Sequence, residues 1–74
     1  MATDPVPALL ALVRDQPDPR TVSNWITAYL GKRSARDKRL ALQSLKLEFE
    51  ARQSAEPRIA GLVLRVVEKL QADS

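Results

Sequence analysis

The chain has 74 residues, enough for one domain and near the lower size at which a single core folds unaided. Twelve Lys and Arg against nine Asp and Glu give a formal charge of +3, with no Cys, no His, two Gly and three aromatic residues. That composition excludes zinc fingers, haem and iron–sulfur ligation, disulfide frameworks and His-based acid–base or triad chemistry, and two glycines cannot build a phosphate-cradling loop.

The first predicted helix covers residues 5–14. Asp4 can cap it and Pro5 fits its first turn, where a missing N–H costs nothing. Pro7 is tolerated there for the same reason. Val6, Leu9, Leu10 and Val13 fall on one stripe. A helix this short needs docking to persist. The joint Asp15-Gln-Pro-Asp follows, with Pro17 disfavouring helix at Gln16.

Asp18 and Pro19 then start a second helix, residues 19–30, which Gly31 ends. Val22, Trp25, Ile26 and Tyr29 form its apolar stripe. Ser23, Asn24 and Thr27 form its polar side. Trp25 and Tyr29 would anchor a partner if exposed, but their alignment with Val22 and Ile26 points to the core.

The third predicted helix, residues 35–53, is the longest. Ser34-Ala-Arg-Asp37 approximates a capping box. Residues 45–51 also alternate apolar and polar, which is a strand pattern, with Ile59–Val67 as its conceivable partner. The weight of Leu, Lys, Glu, Gln, Ala and Arg across residues 35–53 favours helix. The fourth helix, residues 56–71, follows a cap at Ser54 or Glu56 with Pro57 in the first turn. Ile59, Leu62, Val63, Val66 and Leu70 form its stripe, with Val67 beside it. Gly61 lies inside it, either simply tolerated or permitting a close helix approach. The expected fold is all-α, a single-domain bundle of four helices over residues 1–74.

On the third helix, Leu42, Leu45 and Phe49 lie on one face while Leu40, Leu47 and Ala51 lie nearly opposite. Two stripes have two explanations. The helix could be central, with the first two helices on one side and the fourth on the other. Alternatively, one stripe awaits a second chain, since exposed apolar patches mark association sites.

Charge is equally uneven. Residues 1–19 carry −2 and residues 20–40 carry +5, while the remainder balances. The excess comes from Arg20, Lys32, Arg33, Arg36, Lys38 and Arg39, mostly at the corner between the second and third helices. Cations suit the C-terminus of the second helix but not the N-terminus of the third, so the corner is a candidate anion site.

Thr21-Val-Ser-Asn-Trp25 resembles the start of the recognition helix in Cro/repressor-type helix-turn-helix proteins. The preceding joint is longer and richer in proline than that family's turn, and lacks its glycine. The resemblance implies Thr21, Ser23, Asn24 and Thr27 facing a groove, with Lys32, Arg33 and Arg36 on phosphate.

The leading expectation is a small non-catalytic protein-binding module of the adaptor, small-subunit, chaperone or inhibitor kind. It would dock helix against helix through Leu40, Leu47 and Ala51, steered by the basic corner, with another protein or a second copy as partner. Nucleic-acid binding through residues 32–39 is the alternative. No enzyme activity, cofactor or metal is expected. Glu48, Glu50, Glu56 and Glu68 suggest no acid–base pair, and Ser34 and Lys38 lack an activating base. No membrane span, signal peptide or membrane-surface helix is evident, so a cytoplasmic setting is expected. The Ala, Leu and Arg usage fits a high-GC bacterial or phage genome.

Overall fold

A computed structural model describes residues 5–73. Four helices follow in chain order: α1 (Pro5–Asp15), α2 (Pro19–Leu30), α3 (Ala35–Ala51) and α4 (Pro57–Asp73). There is no strand among the described residues, so the alternating pattern of residues 45–51 belongs to a helix. Its two parities separate cleanly: Leu45 and Phe49 are buried, whereas Leu47 and Ala51 are exposed. That is helical periodicity sampled at every second residue.

The joints follow from local chemistry. Asp18 takes an extended backbone, and its carboxylate accepts from the Arg20 amide at 3.1 Å and from the Thr21 hydroxyl at 3.2 Å. This satisfies one of the open N–H groups at the start of α2. Gly31 has φ of 54° and donates its N–H to the Thr27 carbonyl at 3.1 Å. A side chain there would strain the backbone, so glycine ends α2. Ser34 caps α3, its hydroxyl accepting from the Asp37 amide at 3.2 Å. α3 stops at Ala51, two residues short of the predicted end. A tight turn takes over, with Gln53 N–H on the Glu50 carbonyl and Glu56 N–H on the Arg52 carbonyl. Ala60 N–H bonds the Glu56 carbonyl, which places Glu56 just ahead of α4. The expected Asp4 cap lies outside the described residues.

The core draws on every helix: Val6, Leu9 and Val13 of α1, Val22, Ile26 and Leu30 of α2, Leu42, Leu45 and Phe49 of α3, and Ala60, Val63, Leu64, Val66 and Val67 of α4. No polar or charged residue joins it among the described residues. The Cα radius of gyration is 11.4 Å, against about 11 Å expected from chain-length scaling.

The central helix is α4, not α3. It packs on all three others, while α3 packs chiefly on α4 and only marginally meets α1 and α2. Central placement of α3 is therefore corrected. The physical reason is the width of the buried arc. α4 buries Ala60, Val63, Leu64, Val66 and Val67 and half-buries Ile59, Leu62 and Leu70, far more than a single stripe. α3 buries Leu42, Leu45 and Phe49, which one neighbour suffices to cover.

Gly61 is not a close-approach site. A Cβ built there meets nothing within 4 Å, and the residue at the packed face is its fully buried neighbour Ala60. Gly61→Ala should therefore remove backbone entropy from the unfolded chain without a clash, stabilising by about 1 kcal/mol. For a domain this small that is a rise in Tm of about 4–8 °C in a thermal melt. An unchanged or lowered Tm would show that the Gly61 face is occupied.

Candidate functional site

Leu40 and Leu47 are 60% and 58% exposed, the two large hydrophobic side chains left open among the described residues. Both lie on α3 with exposed Ser44 and Ala51. At 3.6 residues per turn these four share one stripe, roughly opposite Leu42, Leu45 and Phe49. With α3 anchored to α4 by its inner stripe, no helix of the described residues covers the outer one. The flanks are charged. Arg36 and Glu50 border one side, and Asp37 and Glu48 the other. Arg52 pairs with Glu48 at 3.3 Å, one helical turn apart, a surface contact worth about 0.3–0.5 kcal/mol. Leu40 and Ser44 also edge a groove against α1 and the end of α2, lined by Pro5, Tyr29 and Arg33.

The basic corner does not present one continuous face. Arg36 lies beside the outer stripe, Arg39 is exposed about a sixth of a turn further round, and Lys38 is half-buried on the core side of α3. Arg33 is held in place by aromatic packing. Trp25 and Tyr29 stack with centroids 5.6 Å apart and planes 9° from parallel, and the Arg33 guanidinium sits 4.9 Å from the Tyr29 ring centroid. Such a cation over an aromatic face contributes about 0.5–1 kcal/mol at an exposed site. Trp25 and Tyr29 are half-buried against the core. At the start of α3, the Ser34 hydroxyl already takes the Asp37 amide, and Asp37 itself supplies negative charge in the first turn. The anion site expected there thus has internal occupants for its two best features.

Arg20 belongs elsewhere. It opens α2, whereas Lys32 and Arg33 follow the helix end, and twelve residues of helix span about 18 Å. Arg20 instead shares a groove with Ser23, Asn24, Val66 and Lys69. A second groove continues from Pro19, Val66 and Lys69 along Arg58, Leu62 and Arg65. Arg20, Arg58, Arg65 and Lys69 therefore frame an apolar floor between α2 and α4. A charge count along the chain hides this grouping, because residues 41–58 and residues 59–74 each balance. The available signal was spacing: Arg58, Leu62, Arg65 and Lys69 fall at helical intervals on one face of α4, while Glu68 lies roughly a quarter turn away.

Among the described residues the ion pairs are Arg14–Glu56, which ties the end of α1 to the joint before α4, and Arg52–Glu48. No group of three or more His, Cys, Asp or Glu among them is placed to hold a metal. No helix of the described residues is long and apolar enough to cross a membrane. No family model, curated protein or solved structure matches the chain.

Proposed function

We propose that the protein is a small non-catalytic binding module that docks an α-helix onto the outward face of α3. The observation that carries this reading is the pair of exposed leucines, Leu40 and Leu47, aligned on a stripe that no other helix among the described residues covers. Apolar anchors spaced along a helix, small residues between them and a charged border are the ingredients of helix-against-helix recognition. Arg36 and Glu50 on the border supply orientation, and the leucines supply the buried area.

The experiment is capture of a partner from extract by the wild type, Leu40→Glu, Leu47→Glu and the exposed control Thr27→Glu. Each of these positions is solvent-facing, so all four chains should show the same helical circular dichroism. Expected is a partner retained by wild type and Thr27→Glu and lost by both leucine variants. Equal retention by all four, or retention by none from a wild type that is also monomeric, sinks the reading.

A second reading, nucleic-acid binding, gains support from one grouping. Arg20, Ser23 and Asn24 on α2 share a groove with Lys69 of α4, and Arg58 and Arg65 line its continuation. In that case the phosphate contacts fall to these cations in place of residues 32–39. Arg65→Ala with Lys69→Ala should then lower the salt slope of duplex binding by about one for each phosphate no longer neutralised. Arg36→Ala with Arg39→Ala should leave it unchanged. No duplex binding at low salt removes this reading.

A further inference from the structure

We infer that the occupant of the α3 face is a second copy of this chain, packed antiparallel about a two-fold axis near the middle of α3. The inference rests on the docking role proposed for that face and names its partner. Three observations converge on it.

The stripe has seam spacing. Leu40, Ser44, Leu47 and Ala51 alternate steps of four and three residues, the repeat that keeps one line of side chains facing a neighbouring helix. Large and small residues alternate along it, and in an antiparallel pair centred near the middle of α3 Leu40 of one helix lies over Ser44 of the other. Its border is self-complementary only in reverse. Arg36, Gln43 and Glu50 recur every seven residues along one flank. Laid antiparallel on itself, that flank sets Arg36 against the second copy's Glu50, Gln43 against its own counterpart, and Glu50 against the second copy's Arg36. A parallel arrangement would instead set the basic ends side by side and the acidic ends side by side. An interface using the same patch on both copies is what a two-fold dimer requires.

Finally, the stripe stands open: Leu40 and Leu47 are more than half exposed, whereas the other large apolar side chains among the described residues are buried or half-buried. A domain of this size gains most from such pairing, because its own core is small.

The test is sedimentation equilibrium across a wide concentration range on five chains. The wild type should approach twice its 8.2 kDa monomer mass as concentration rises. Leu47→Glu should remain monomeric with unchanged helical content. Arg36→Glu and Glu50→Arg should each weaken the dimer at least tenfold, because each sets like charges together at both ends. The double variant Arg36→Glu with Glu50→Arg should regain wild-type mass at the same concentrations. Arg36 and Glu50 are fourteen residues apart on one helix, so repair of one by the other requires a second copy. A wild type that stays monomeric at every concentration overturns the inference. So do single variants that dimerise normally, or a double variant that fails to recover. Capture of a partner that depends on Leu40 and Leu47 by a monomeric wild type would leave the docking role standing while removing the second copy.

Discussion

Phe49→Ala should cost about 3–5 kcal/mol, the range for emptying a large aromatic site in a well-packed core. Phe49 is the largest fully buried side chain, at 0% exposure, on the stripe that binds α3 to α4. Stability of about 0.05–0.15 kcal/mol per residue gives a domain of this length only about 4–11 kcal/mol in total. The loss therefore takes about a quarter of the fold's stability or more. Urea melts followed by circular dichroism should show a large fall in midpoint with the slope kept, if unfolding remains two-state. A loss below about 1 kcal/mol would mean that α3 does not dock through this face. Leu47→Glu, two residues away but exposed, should move the midpoint little. The contrast between the two positions tests the orientation of α3 directly.

Leu9→Ala should cost about 2–5 kcal/mol, but with a different distribution. α1 has eleven residues, below the roughly 12–15 at which isolated helices become even marginal in water. Its two prolines sit in the first turn, and its hold on the rest comes from Val6, Leu9 and Val13, with Leu9 fully buried. Truncating Leu9 leaves α1 little reason to stay docked. Native-state hydrogen exchange should show α1 amides losing protection first, at a free energy below that of α4. Loss of protection shared equally by all four helices would show that α1 is not a separable unit. The Arg14–Glu56 pair is exposed at its arginine end and adds at most about 1 kcal/mol, so it cannot replace the apolar anchor.

Much of this molecule is written in short-range chemistry. Asp18 before Pro19, Gly31 after Leu30 and Ser34 before Ala35 set three of the helix boundaries, because capping and positive φ depend on a few neighbouring residues. The inner stripes were equally legible: Val6, Leu9 and Val13, or Leu42, Leu45 and Phe49, recur at the helical repeat whatever surrounds them. The outer stripe of Leu40, Leu47 and Ala51 was visible too, and so was its rivalry with the inner one.

The grouping of cations was less legible. Counting along the chain put Arg20 with Lys32 to Arg39, although a helix carries its two ends apart. It passed over Arg58, Arg65 and Lys69, although a helix collects every third or fourth residue onto one side. The corner itself divides for the same reason. Consecutive residues on α3 point in different directions, so Lys38 turns toward the core while Arg36 joins the outer stripe.

The balance of +3 on 74 residues therefore describes a chain whose sequence alone determined four helices, their caps and joints, and which side chains can share a face. Those properties repeat within a single segment and need no partner. Only the tertiary structure decided that α4 is the hub, that α3 spends one apolar stripe on it and leaves the other outside, and which charges become neighbours. Such choices depend on side chains from four segments filling one small core together. The widest apolar arc must lie where the most helices meet, and a helix held by one neighbour has a second face to give away.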